Sequence, residues 1–283
     1  MSADKDFFTM PTDHFTIEGR SRAGHETWFR IRELGMVLDI GRGSDAAVGM
    51  PEIFITHAHL DHALGVPFYA GQRHLQGLAG GRVYVPAEAA DDFRALMALH
   101  EKLEDTAYDI EIVGVAPGAS IARGRNQEVR VHRATHRVAA RAYEFLEVRH
   151  RLKPEYAGRD DVGELRRQGI EVTEPYRQPL LFYTGDTDRG ILETNAELFR
   201  AEVLMIECSF LTDGDQERAA RYRHLHFDDI VEFAERFENR LIVLTHFSRR
   251  YSRLQIRDQI RRRCPAVLNG RLRLALPEPF QIP

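Results

Sequence analysis

Only two cysteines, Cys208 and Cys264, occur in 283 residues, too few for a disulfide framework and consistent with a reducing compartment. No apolar run is long enough to span a bilayer, and Met1 to Asp13 is polar and acidic, with neither a basic n-region nor an apolar h-region. A soluble, cytoplasmic protein without membrane contact is expected. Positive charge is not in excess either: 39 lysines and arginines stand against 43 acidic residues, a formal net charge of −4 with a pI near 6.4. The chain as a whole is not a polycation for nucleic acid, so any RNA contact must be local. Internal repeats and low-complexity tracts are missing. What is present, 43% hydrophobic and 29% charged residues, suffices for one large α/β domain with a substantial core.

The densest chemistry lies in Thr56, His57, Ala58, His59, Leu60, Asp61, His62, which places three imidazoles and a carboxylate in six consecutive residues. The preceding run, Glu52 to Thr56, is β-branched and aromatic and predicts a buried strand, so the histidines fall on the loop at its end. His57 and His59 are two apart and project to one side of extended backbone, and Asp61 and His62 follow where the chain turns into a helix. One pair can hold one metal and the second pair another. Imidazole and carboxylate suit zinc, and also manganese or iron, so ligand type alone does not choose the element.

Strand-like runs open the chain at Phe15 to Ile17, Thr27 to Ile31 and Met36 to Ile40. Helical spacing follows over Ala63 to Leu78 and Ala87 to Leu103, with a strand at Arg82 to Pro86 between them. Alternation returns at Glu128 to Ala134 and Arg141 to Val148, with His136 between. Strand and helix signals then alternate through Leu180 to Tyr183, Val203 to Glu207, His226 to Phe237, Leu241 to Thr245 and Tyr251 to Arg263. The order is β-rich, then mixed, twice over, which suits a single-domain α/β protein built as a four-layer αββα sandwich. The site is expected along one edge, on loops after strands.

His57, Ala58, His59, Leu60, Asp61, His62 resembles the HxHxDH signature of metallo-β-lactamase-fold hydrolases. Thr184, Gly185, Asp186, Thr187 resembles that family's bridging-aspartate loop, and Leu244 to Tyr251, reading Leu-Thr-His-Phe-Ser-Arg-Arg-Tyr, resembles the final histidine motif of the tRNase Z (ribonuclease Z) branch. The resemblance runs from about Ile31 to Tyr251. It implies that His57, His59 and His136 hold one metal, that Asp61, His62 and His246 hold the other, and that Asp186 bridges them. Two zinc ions per chain are implied, with manganese or iron as alternatives. Two close dications lower the pKa of a bridging water, so that hydroxide forms near neutral pH. His132 competes with His136 for the ligand role and is otherwise a residue alternating along its strand.

Asp61, Glu207 and His224 are the catalytic candidates. Glu207 ends a buried strand, where an unpaired carboxylate is costly, and His224 matches the tRNase Z histidine ahead of a helix. A carboxylate orienting an imidazole makes a general acid for the leaving group. After His224 the family shows a small residue and threonine, whereas Leu225 and His226 stand here, so His226 is either a helix N-terminal residue or a substrate contact. Ser248, Arg249 and Arg250, after the last ligand, are further substrate-binding candidates, along with Arg253.

Between His136 and Asp186 the family carries an arm for tRNA. Here residues 149–179 form a shortened arm-like insertion, read as a solvated loop and short helix. From Glu147 to Arg177 seven basic residues face seven acidic ones, a poor phosphate clamp.

The expected function is a metal-dependent phosphodiesterase or endoribonuclease of the tRNase Z type acting through a bridging hydroxide, with 3′ processing of precursor tRNA as the specific candidate. A dizinc hydrolase of a small phosphodiester, lactone or thioester is the alternative, since substrate choice lives in the pocket. An RNA-binding or interaction protein on a retired scaffold is the non-enzymatic one. The partners are therefore an RNA or a small phosphodiester, with a homodimer implied by the resemblance alone.

Overall fold

The computed structural model describes residues 7–277 and 280–281. Two mixed sheets run in sequence order. The first holds seven strands: β1 (Phe8–Pro11), β2 (Thr16–Arg22), β3 (Glu26–Ile31), β4 (Met36–Leu38), β5 (Glu52–Phe54), β6 (Gly81–Pro86) and β7 (Ile110–Val115). The second holds eight: β8 (Ser120–Arg123), β9 (Gln127–Ala134), β10 (Ala140–Leu152), β11 (Thr173–Tyr183), β12 (Val203–Glu207), β13 (Leu241–Thr245), β14 (Leu272–Leu274) and β15 (Phe280–Gln281). Each sheet begins as an antiparallel meander. The pairing turns parallel from β4 to β7 and again from β11 to β14.

Helices cover the outer faces. α1 (Asp45–Val48), α2 (Leu60–Ala63), α3 (Val66–Leu75) and α4 (Ala90–Glu104) lie in the first half of the chain, and α5 (Val162–Arg167) lies between β10 and β11. α6 (Gly190–Thr194), α7 (Gln216–Tyr222), α8 (Phe227–Glu232) and α9 (Arg253–Arg263) complete the second half. The helix expected over Ala63 to Leu78 is broken at Gly65, where a Cβ would lie 2.3 Å from the Gly43 nitrogen. Glycine there lets the loop after β4 press against the helix start.

Alternation along the strands fills three cores. Phe54 joins Phe29, Tyr143, Phe145 and Tyr183 between the sheets, while Ile53 and Ile55 pack with Tyr69, Phe93 and Met97 on the side of α3 and α4. In β12, Val203 and Met205 belong to the inter-sheet core, and Leu204 and Ile206 join Ile230, Ile256 and Ile260 of α8 and α9. Strands buried on both faces read as unbroken apolar runs, and their period of two divides them between layers. The four-layer αββα sandwich follows from this division.

Residues 149–179 hold α5, but their flanks continue β10 and β11 as a ladder reaching Leu152 opposite Thr173. β9 stops pairing with β10 at Glu147, so the last five residues of β10 project past the sheet with β11 alone. Five of the seven basic side chains counted above pair with acids: Arg149 with Glu147, Arg151 with Glu174, Arg159 with Asp161, Arg167 with Glu164, and Arg177 with Glu128 of β9.

The two sheets are stitched together at one edge. Tyr143 Oη donates to the Ile55 carbonyl at 2.7 Å, and the Arg141 amide to the Thr56 carbonyl at 2.9 Å. β5, β11, β12 and β13 all deliver their C-terminal ends there.

Candidate metal centre

Each predicted ligand leaves a strand end. β5 leads to His57, His59, Asp61 and His62, β9 to His136, β11 to Asp186 and β13 to His246. The backbone is bent sharply to do this. Among the described residues, four that are not glycine have positive φ, and three of them, Asp39, Arg223 and His246, flank this edge. Conformations of this kind cost of order 1–3 kcal/mol each and persist only where the surroundings hold them.

His57, His59, His136 and Asp186 converge as one group, and Asp61, His62 and His246 as a second. His57 Nε2 lies 3.0 Å from His59 Nδ1, which lies 3.3 Å from His136 Nε2. His62 Nε2 lies 3.3 Å from His246 Nε2, and Asp61 Oδ2 is 3.5 Å from the latter. Asp186 sits between the groups, Oδ2 lying 3.6 Å from His57 Nε2 and 3.3 Å from His246 Nε2. His132 is not among them, because its Nε2 pairs with Glu144 at 3.0 Å.

Four of the five imidazoles have the outward nitrogen engaged. His62 Nδ1 pairs with Asp39 Oδ2 at 2.8 Å, His57 Nδ1 with Thr56 Oγ1 at 3.0 Å, His136 Nδ1 with the Arg223 carbonyl at 2.9 Å, and His246 Nδ1 with Ser209 Oγ at 2.9 Å. An outer acceptor holds the proton on that nitrogen and turns the other lone pair inward. Asp39 is fully buried and also accepts from the Thr56 amide, Thr56 Oγ1 and Tyr183 Oη. The sequence reading assigned no role to Asp39, Thr56, Ser209 or Arg223. Asp39, in Asp39-Ile40-Gly41 at a strand end, was the one with a readable signal.

Lone pairs of neighbouring imidazoles cannot face each other at such distances without a proton or cation between them. Asp186 Oδ1 is buried, with His62 Nε2 3.4 Å away but no well-formed hydrogen bond. Burial holds the His57, His59 and His136 imidazoles below their ordinary value, keeping them neutral and able to ligate. Burial opposes ionisation of Asp61, yet the His246 hydrogen bond and the nearby His62 bring it down to about 2. A donor set of five imidazoles and two carboxylates in two groups fits divalent cations of the zinc, manganese or iron type.

Glu207 is fully buried and saturated. Oε1 accepts from the Thr187 amide at 2.8 Å and from His224 Nδ1 at 2.7 Å, and Oε2 accepts from Ser209 Oγ at 2.7 Å and from the Ser209 and Leu225 amides at 3.3 Å. Burial disfavours the His224 imidazolium, but the Glu207 carboxylate outweighs it and raises the group to about 9. The His224 ring lies 4.9 Å from that of His136 and 5.3 Å from that of His246, centroid to centroid.

The substrate-binding candidates are scattered. Arg249 and Arg250 are exposed beyond His246, and Ser248 Oγ accepts from the Arg250 amide at 3.4 Å. Arg253 begins α9. His226 takes the helix position of its two alternatives: it is buried, its Nδ1 accepts from the Asp228 amide, and it caps α8 in a reciprocal box with Asp229. Its other nitrogen bonds the Thr212 carbonyl at 3.1 Å, so both ring nitrogens are engaged within the chain.

Residues 43–247 match the family model described as a beta-lactamase superfamily domain. The tRNase Z TRZ1 of Arabidopsis thaliana is 34% identical over 268 residues, covering 93% of this chain and 95% of that protein. The chloroplastic tRNase Z TRZ2 of the same plant is 32% identical over 254 residues, covering 88% and 72%. Among solved structures, a metallo-beta-lactamase fold protein, YhfI from Bacillus subtilis, aligns with a TM-score of 0.61 at 14% identity over 90% of this chain and 93% of its own. The short form of human tRNase Z, ELAC1, aligns with a TM-score of 0.57 at 19% identity over 98% and 99%. These two establish likeness of fold.

Proposed function

The chain belongs to the tRNase Z family within the beta-lactamase superfamily, and from that premise we propose that this metal-dependent hydrolase cleaves the phosphodiester at the 3′ side of precursor tRNA. His57, His59 and His136 would hold one zinc ion, Asp61, His62 and His246 a second, with Asp186 shared. The pair supplies a Lewis acid for the phosphoryl oxygens and a nucleophile drawn from water near neutral pH.

The remaining chemistry falls to side chains. The observation that carries the reading is the 2.7 Å contact between His224 Nδ1 and Glu207 Oε1 beside both ligand groups. With Nδ1 donating to the carboxylate, Nε2 is left to protonate a departing oxygen, the step a poor leaving group such as a ribose hydroxyl requires. Asp61 is held in place by the Gly24 amide, which donates to its Oδ2 at 2.7 Å. Ser248, Arg249 and Arg250 are the substrate contacts nearest His246.

A small phosphodiester is the second reading, favoured by the acid-paired cations of the arm. Turnover compared on a precursor tRNA, bis(p-nitrophenyl) phosphate and a lactone, with and without zinc, tests both. Cleavage of the tRNA is expected, and hydrolysis of the lactone alone defeats the phosphodiester reading. A homodimer, supported by the family alone, and a cytoplasmic location, supported by the two free cysteines, complete the proposal.

A further inference from the structure

The hydroxyl of Ser209 touches both halves of the chemistry described above. Ser209 follows β12 and is buried, with 1% of its surface exposed. Its Oγ lies 2.9 Å from His246 Nδ1, 2.7 Å from Glu207 Oε2, 3.0 Å from the His246 carbonyl and 3.4 Å from His224 Nδ1. A hydroxyl has one proton to give and can accept others. His246 presents Nε2 to the ligand group, so its proton resides on Nδ1 and is donated to Ser209 Oγ. Ser209 in turn donates to Glu207 Oε2, its shortest contact. The opposite oxygen, Oε1, accepts from His224 Nδ1.

We propose that Ser209 is a positioning residue joining the metal centre to the proton donor, through one continuous chain from His246 to Ser209, Glu207 and His224. Its hydroxyl performs two separable tasks. It is the acceptor that keeps the His246 proton on Nδ1; without it, in a buried setting, the ring has reason to adopt the other tautomer, and that tautomer has no inward lone pair. It also pins one oxygen of Glu207, so the carboxylate cannot turn away from His224. Packing alone does not demand serine. The Ser209 and Leu225 amides reach Glu207 Oε2 only at 3.3 Å, against 2.7 Å for the hydroxyl, and alanine would fill nearly the same volume.

Two measurements on Ser209→Ala separate the tasks, and only the rate measurement rests on the phosphodiester reading. Competition with a chelator should show zinc held at least about tenfold more weakly than by the wild type, the usual loss when an outer partner of a ligating histidine is removed. Turnover should fall about tenfold further on precursor tRNA than on bis(p-nitrophenyl) phosphate, at unchanged KM, because p-nitrophenolate departs without protonation. Ser209→Thr, which keeps the hydroxyl, should restore both, and if the alanine variant fails to fold, Ser209→Gly carries the same comparison. Wild-type zinc affinity in the alanine variant, or an equal rate loss on the two substrates, overturns the proposal. A wild type inert on both substrates refutes the phosphodiester reading instead, and the zinc measurement still decides Ser209.

Discussion

His136 and Arg223 hold each other in both directions: His136 Nδ1 donates to the Arg223 carbonyl at 2.9 Å, and Arg223 Nη1 donates to the His136 carbonyl at 3.2 Å. Arg223 adopts a left-handed conformation, φ 56°, to aim that carbonyl. Proline fixes φ near −65°, so Arg223→Pro should turn the carbonyl away and weaken zinc retention by about tenfold or more in chelator competition. Arg223→Gly, at ease with positive φ, should retain most of it. Equal retention by the two variants would show that the backbone clamp is irrelevant.

His224→Ala should lower turnover of precursor tRNA about a hundredfold or more while the zinc content, measured by metal analysis, stays at the wild-type value. His224 is not in either group assigned to the metals. Undiminished turnover would remove it from the reaction.

Removing metal should destabilise the fold. A ligand at about a thousand times its dissociation constant contributes about 4 kcal/mol to the native state, and here a bound cation would also separate the facing imidazole lone pairs. Calorimetry of chelated and zinc-restored protein should show a lower, zinc-reversible melting temperature. Identical melting curves would mean that the cluster is stable without a cation.

Gly185 precedes Asp186 with φ 58°, and a Cβ there would lie 2.6 Å from Thr56 Cβ. Gly185→Ala should cost about 2 kcal/mol or more and displace Asp186. Gly158 also has positive φ, 76°, but nothing within 4 Å. Its alanine variant should lose less, as measured by the shift in urea midpoint.

Away from the centre, burial raises the Asp215 carboxyl, but hydrogen bonds from Thr212 and Tyr251 prevail and leave it below its ordinary value. A depressed native pKa stabilises the fold above the unfolded value, near 4, and that contribution is lost as pH falls through the native one. Asp215→Asn should therefore be less stable than wild type at pH 7, and the gap in urea midpoint should narrow as pH falls below the unfolded value. A gap independent of pH would assign the effect to shape rather than charge.

The sequence disclosed those candidate site residues that follow an apolar strand, because burial on both faces makes β5, β12 and β13 conspicuous and a histidine or carboxylate after such a run is out of character. It disclosed the layers for the same reason. It did not disclose Ser209 or Arg223, whose roles depend on one hydroxyl and one carbonyl aimed by the surrounding backbone. His226 was open because an imidazole next to a helix start can cap or contact, and only the Asp229 reciprocation decides between them. The ladder within residues 149–179 was hidden by charges that read as solvated loop but pair across and alongside its strands.

His62 and His246 are neighbours in space and 184 residues apart in the chain. During synthesis, therefore, the first group of ligands is complete once Asp186 has emerged, but the second must wait for β13 to be made and docked beside β12. A nascent or truncated chain would carry one half of the centre without the other. Hydrolytic competence is thus tied to the docking of β13 beside β12, and a chain ending before Leu241 would carry the first group of candidate ligands without the second.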